Sequence, residues 1–348
     1  MGNTSATPPI KTALVGFGTS GKHLHLPLLL SDANFQLVAV STHRSNVSNA
    51  LPRGCSQRSF TQVIDDPMIE LVIIATPNDS HFELAKKALE HGKHVVVEKP
   101  IALNSKDADT LLKLAQKKER TITSFHNRLW DCDFLAIKSI VNDDKLGRLH
   151  SYAARVDRYQ PDVVNNWRDN PQFGGAVWEL APNLIVQILT LFGKPNSVFA
   201  DVSTLRDKAR APDNFYLRLA YPKLNVEIRT SSLVKHSGPR FVIHGDLGSF
   251  IKQGIDPQHQ QLKNGVTPCD NKFGKEQIDD WGSLYTNNSD EEILVPSPAG
   301  DYCAFYRHLF DTIKHQAPLP CDNQLALDMV QIIEASQQSN ESNQVIML

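Results

Sequence analysis

Long hydrophobic runs are missing from these 348 residues. The longest apolar stretches, such as LIVQILTLF at 184–192, fall well short of the roughly 18 residues that cross a bilayer, which excludes a membrane-spanning role. Charge of one sign is also missing. The net charge is -2, the signs are interspersed and no run of Lys or Arg stands out, so nucleic acid and other polyanions are not expected partners. Paired cysteines are absent as well. Cys55, Cys132, Cys269, Cys303 and Cys321 are odd in number and scattered, with no CxxC to clasp zinc. They read as reduced thiols of a cytoplasmic protein, with no metal expected. The opening MGNTSATPPI lacks the basic region and apolar core of a secretory signal and reads as a disordered leader over residues 1–9. Met1-Gly2 hints at myristoylation, but Ala6 stands where that motif needs Ser or Thr.

What remains is an ordinary globular composition, 41% hydrophobic and 21% charged, enough for two moderate cores. Strand and helix patterns alternate from residue 10 to about 127, which predicts a parallel sheet covered by helices on both faces. IKTALVG (10–16) leads into GFGTSG, where Gly16, Gly18 and Gly21 have the G-x-G-x-x-G spacing. Glycines also mark plain turns. Here they sit between a buried strand and a helix, the setting in which Gly16 makes the tight turn, Gly18 lets the backbone approach a pyrophosphate and Gly21 allows close helix packing. The helix start then offers its free N–H groups to the phosphates. After the second strand, FQLVAVS (35–41), an NAD enzyme usually carries an acid for the ribose 2′-hydroxyl; this chain has Ser41-Thr42-His43-Arg44. Hydroxyls and a guanidinium suit a 2′-phosphate, so NADP is favoured with NAD still open. The plain alternative leaves Arg44 on a solvated loop. Further elements are ELVIIAT (70–76), a helix from about Asp79 to Glu90, HVVVE (94–98), a helix from Ser105 to Lys118 and TITSF (121–125).

Glu98-Lys99-Pro100, closing HVVVE, resembles the EKP signature of the Gfo/Idh/MocA oxidoreductase family. TPNDSH (76–81) is similar to that family's TPN-x-x-H segment, and HLHLP (23–27) to its H-x-P. FHNRLWDCDF (125–134), WRDNP (167–171) and IHGDLGSFIKQGIDPQHQQLKNG (243–265) resemble the branch holding NADP-dependent scyllo-inositol dehydrogenases. The resemblance runs from about residue 10 to 335. It implies an α/β protein: a Rossmann dinucleotide-binding domain at 1–127, then an α+β domain at 128–348 with an open-faced, mainly antiparallel sheet. That sheet would back the active site on its helical side and join a homodimer or homotetramer through the other. The resemblance also implies that Lys99 reaches the nicotinamide ribose and the reacting hydroxyl, that Pro100 fixes the turn, often through a cis peptide, and that Thr76, Asn78, His81, Glu98 and Asn127 line the cofactor cleft. Locally, Asn78-Asp79 also makes a natural helix N-cap and His81 could face solvent.

Beyond residue 128 come strand patterns SYAARVDRY, SVFADVSTL, NFYLRLAY, NVEIRTSSLV, RFVIHG and GSFIKQG, with hairpin turns at 221–225 and 245–248. Late helices at 302–316 and 323–338 should pack back toward the first domain. The family's catalytic helix follows a Gly-Gly turn and carries an acid and, four residues on, a histidine. This chain has Gly174-Gly175, then Glu179 and Asn183. Positions i and i+4 share a helix face, yet Glu179, Asn183 and Gln187 could equally form a solvated stripe. An amide cannot serve as a general base, so that duty would pass to Lys99, helped by Glu179, with Asn183 orienting the substrate. Arg155, Asp157, Arg158, Trp167 and Arg168 fall where relatives meet substrate, and they suit a hydroxyl-rich ring or a sugar acid. An exposed salt-bridge ladder would use the same residues. The expected activity is hydride transfer between NAD(P) and a secondary alcohol or ketone of a cyclitol, sugar or related polyol. The loss of the histidine keeps open a cofactor-sensing regulator of the same fold.

Overall fold

A computed structural model describes residues 7–45 and 47–348; most of the leader therefore lies outside the described residues. The first domain holds β1 (Ile10–Val15), α1 (Leu26–Leu30), β2 (Phe35–Ser41), β3 (Ser56–Gln57), α2 (Phe60–Asp65), β4 (Leu71–Ile74), α3 (His81–Glu90), β5 (His94–Glu98), α4 (Ser105–Lys117) and β6 (Ile122–Phe125). The strands pair in parallel in the order β3-β2-β1-β4-β5-β6, the doubly wound arrangement whose dinucleotide crevice opens at the strands' carboxyl ends. Leu71–Ile74 and Val95–Val97 are buried completely, as strands covered on both faces must be.

The second domain runs through α5 (Cys132–Asn142), β7 (Leu149–Arg155), α6 (Gly175–Glu179), α7 (Ala181–Phe192), β8 (Ser197–Ser203), β9 (Asn214–Ala220), β10 (Asn225–Ser231), β11 (Phe241–Gly245), β12 (Gly248–Lys252), α8 (Gln258–Lys263), β13 (Gly282–Thr286), β14 (Ser289–Val295), α9 (Cys303–His315), α10 (Asn323–Ser342) and β15 (Ile346–Met347). Nine strands form one sheet, β14-β13-β12-β11-β7-β10-β9-β8-β15. Every pairing is antiparallel except β10 with β7. Its inner face is apolar at every second residue: Phe215, Leu217 and Leu219 on β9 meet Val226 and Ile228 on β10 and pack into the main core with α7 and α10. On the opposite face, Phe199, Arg218 and Glu227 lie side by side and none is buried. Strands expected through residues 159 and 234 stop at Arg155 and Ser231, leaving only an isolated Tyr159–Leu233 bridge.

The two late helices fold back. Ser105 N donates to Glu334 of α10 at 2.9 Å, and Lys314 of α9 pairs with Glu70 at 2.6 Å. Phe305, Tyr306 and Leu309 enter the same apolar cluster as Leu14, Leu28 and Val96. No helix among the described residues is long and apolar enough to cross a membrane.

Candidate active site

The glycine loop follows β1. Gly16 has φ of +97°, and a Cβ there would lie 2.3 Å from the Ala75 carbonyl oxygen; at Gly21 it would lie 2.2 Å from the carbonyl oxygen of Gly16. Gly18 differs from both, since a Cβ there meets nothing within 4 Å. The loop is thus closed against the protein at its ends and open at its middle, the room a diphosphate needs. Helix begins at residue 19 and runs to 30, widened into π geometry over Gly21–His25. Ser41 is buried at the end of β2, with its carbonyl accepting from Gly16 N at 2.8 Å. Arg44 is exposed beyond it, its backbone N donating to Thr42 Oγ1 at 3.2 Å.

Between the domains lies a cleft of about 780 Å³. Thr76, Asn78, Glu98, Lys99 and Asn127 line it from the first domain's side. Asn78 does not cap its helix; it is 5% exposed, and Nδ2 donates to the Phe173 carbonyl at 2.8 Å, tying the two domains together. The Lys99–Pro100 peptide is cis.

Across the cleft, Pro182 dictates the local backbone. It lacks an N–H and its ring would clash with the preceding turn, so the expected single helix breaks at Leu180 into α6 and α7. Asn183 N turns to Leu180 O, and the Glu179 carbonyl, left without a helical donor, accepts Lys99 Nζ at 2.6 Å. Glu179 and Asn183 still face the cleft together. Asn183 Oδ1 is shielded from water and has no partner, and the Glu179 carboxylate accepts from Arg168 Nε. Arg168 in turn lies over the Trp167 ring at 4.6 Å. The solvated stripe is corrected at Gln187, which is 1% exposed and donates to the Arg128 carbonyl at 2.8 Å.

Lys99 sits in a mixed field. Burial, with Arg128 and Arg158, holds its ammonium below the ordinary lysine range, while Glu179 and Glu98 pull it upward. Burial pushes the Glu98 carboxyl up, but His25, Ser20 and Lys99 outweigh it and hold the group down at about 2. Glu98 Oε1 accepts from Ser20 Oγ and faces His25 Nε2 at 3.2 Å; Oε2 accepts from Lys99 N at 3.2 Å.

Two expected contacts require correction. His81 does not face the cleft or solvent: it is 0% exposed, with Nδ1 2.7 Å from the Pro100 carbonyl and Nε2 3.0 Å from that of Thr76. It braces the backbone that carries Lys99. Arg155 lies outside the cleft lining, its guanidinium 3.8 Å from Asp157. Asp157 borders the cleft, but its carboxylate accepts from Ser231 N and Ser237 Oγ, both at 3.2 Å. Arg158, Trp167 and Arg168 do line the cleft.

Other residues of the site went unread in the sequence. Arg128 lines the cleft, bound to Asp131 at 3.2 Å and to the Tyr302 hydroxyl at 2.9 Å. His259 and Lys263 reach the cleft from α8, which packs on the π-helical turn. Its anchors are Asp256, which accepts from Cys132 N at 2.7 Å, and Gln258, which donates to the Trp130 carbonyl at 3.0 Å. The signal was the stretch GIDPQHQQLKNG, whose residues had no assigned task. Among the described residues no three His, Cys, Asp or Glu side chains converge as a metal site would need.

A doubly wound sheet, a glycine loop open at Gly18 and an interdomain cleft with a half-buried lysine define an NAD(P)-dependent dehydrogenase acting on CH–OH groups. Residues 10–126 match the oxidoreductase family with an NAD-binding Rossmann fold, and residues 138–348 match that family's C-terminal alpha/beta domain. The chain belongs to the Gfo/Idh/MocA oxidoreductase family. It is 35% identical to scyllo-inositol 2-dehydrogenase (NADP(+)) IolW of Bacillus subtilis over 97% of this chain and 96% of that protein. It is likewise 35% identical to the uncharacterized oxidoreductase YdgJ of Escherichia coli, over 93% and 94%. Among solved structures, the oxidoreductase yvaA of Bacillus subtilis superposes with a TM-score of 0.94 at 34% identity, covering 99% of each chain.

Proposed function

We propose that the chain transfers a hydride between the nicotinamide of NADP and a secondary alcohol or ketone of a cyclitol, sugar or related polyol. The observation that carries this reading is the convergence of Lys99, Glu179 and Asn183 on one cleft beside the open glycine loop. The dinucleotide supplies the hydride acceptor or donor when bound. The chain's residues supply the rest: Lys99 Nζ exchanges the substrate hydroxyl proton, and Asn183 Oδ1 accepts from a neighbouring hydroxyl and orients the ring. Glu179, fixed by Arg168, keeps Lys99 in place through its own carbonyl. Kinship with an enzyme named for scyllo-inositol and NADP(+) supports the substrate class and the cofactor.

NADP over NAD rests on Ser41, Thr42 and Arg44 with no acid after β2. Losing a charge-assisted phosphate contact costs about 1.5 to 3 kcal/mol, so Arg44→Ala should weaken NADP by roughly one to two powers of ten and leave NAD unchanged. Titration of both cofactors checks this; equal binding by the native chain removes the preference.

Asn183 favours one competing reading, a catalytically weak sensor of the cofactor, because an amide cannot titrate. That reading requires NADPH to bind and never be consumed by inososes or sugar ketones.

The polar-apolar outer face of the nine-stranded sheet supports a homodimer or homotetramer. An obligate interface of this kind buries upward of about 2,000 Å². Light scattering should give a dimer or larger; a monomer at every concentration refutes it. Five free cysteines support a reducing, cytoplasmic setting.

A further inference from the structure

A relay of buried side chains joins the C-terminal domain to the motif that carries Lys99. Glu98 is ionised at neutral pH, so its carboxylate only accepts hydrogen bonds. His25 Nε2, 3.2 Å from it, must therefore bear the ring hydrogen. A neutral imidazole then presents Nδ1 as an acceptor, and 2.6 Å away stands the Tyr306 hydroxyl of α9. Both His25 and Tyr306 are 0% exposed, and Phe125 lies over the His25 ring at 4.3 Å. The polarity of the relay is fixed: Tyr306 donates to His25, and His25 donates to Glu98.

We infer that Tyr306 is a positioning residue for the cofactor site: by donating to His25 Nδ1 it fixes the ring with its Nε2–H toward Glu98, which stays tied at once to Ser20 of the glycine loop and to the Lys99 amide. The inference rests on the reading that the glycine loop holds a dinucleotide. Ser20 and Glu98 both border the cleft, so loosening their contact lets the phosphate-binding loop and the lysine-bearing turn move apart. Without the Tyr306 hydroxyl, His25 Nδ1 is left buried with no donor facing it, and the ring loses the contact that sets its angle toward Glu98.

The test is titration with NADPH, followed by nicotinamide fluorescence. Tyr306→Phe should bind about tenfold more weakly, the worth of one buried hydrogen bond. His25→Phe should lose affinity as well, and adding Tyr306→Phe to it should cost nothing more. Native affinity in Tyr306→Phe, or a further loss when it is added to His25→Phe, overturns the inference in favour of plain packing. The ring ¹⁵N shifts of His25 in the native chain test it without a variant: hydrogen on Nε2 is expected, and hydrogen on Nδ1 overturns it. Failure of the native chain to bind NADPH would instead sink the dinucleotide reading, and the tautomer would still decide the relay.

Discussion

Replacing Lys99 with methionine should lower the turnover number by about 10² to 10⁴, the usual worth of a general acid or base, and leave NADP(H) bound. Methionine keeps the length and apolar bulk of the stem, and the glycine loop that would grip the diphosphate lies elsewhere, so binding and folding should survive. The ammonium's contact with the Glu179 carbonyl, 2.6 Å, is lost along with the titrating group. The sign of the pH dependence follows from burial. Lys99 is held below the ordinary lysine range, and alcohol oxidation needs it unprotonated. Turnover in that direction should rise with pH and level off earlier than a solvated lysine would allow; the reverse reaction should fall over the same interval. Full turnover in Lys99→Met would remove lysine from the proton's path and leave Glu179 as the candidate.

Gly18→Val should cost NADPH affinity at least about 100-fold, since branched carbons would fill the space left for a diphosphate and break two or more charge-assisted contacts. Stability should hardly change. The side chain enters open space, and exposed substitutions of that kind stay within roughly 0.5 kcal/mol, about 1 to 2 °C in Tm at this size. Gly16→Ala should do the reverse, lowering Tm sharply, because its Cβ is driven 2.3 Å from a backbone oxygen at φ of +97°. Calorimetry alongside NADPH titration separates the two effects. Native-like NADPH binding in Gly18→Val would place the diphosphate somewhere else.

The first sheet was readable because its strands are buried on both faces and so appear as unbroken apolar runs between turn residues. The far edge of the second sheet was not. β14 carries Asp290, Glu291 and Glu292, while its Ile293 and Leu294 are both exposed, so the alternation that reveals a half-buried strand is absent. β15 is two residues long, below any pattern. Around the cleft, the i and i+4 pairing of Glu179 and Asn183 was visible as spacing. Which face they took depended on Gln187 being covered, a tertiary fact. Pro182 was in plain view and the helix break it makes was readable in principle, but the turn of Asn183 N to Leu180 that frees the Glu179 carbonyl was not. His25 and Tyr306 meet across 281 residues, and no local rule links them. His81 shows the opposite failure: a residue within a recognised motif lies buried with its ring nitrogens against two backbone carbonyls rather than against a ligand.

The central claim, a dehydrogenase of polyol hydroxyls, is met most directly by following nicotinamide absorbance while the native chain is mixed with NADP⁺ and a panel of cyclitols and sugars, and with NADPH and the matching ketones. The account predicts that scyllo-inositol or a related polyol reduces NADP⁺, that its ketone oxidises NADPH, and that Lys99→Met does both at least about 100-fold more slowly. NADPH that binds tightly and is consumed by no member of the panel would contradict it.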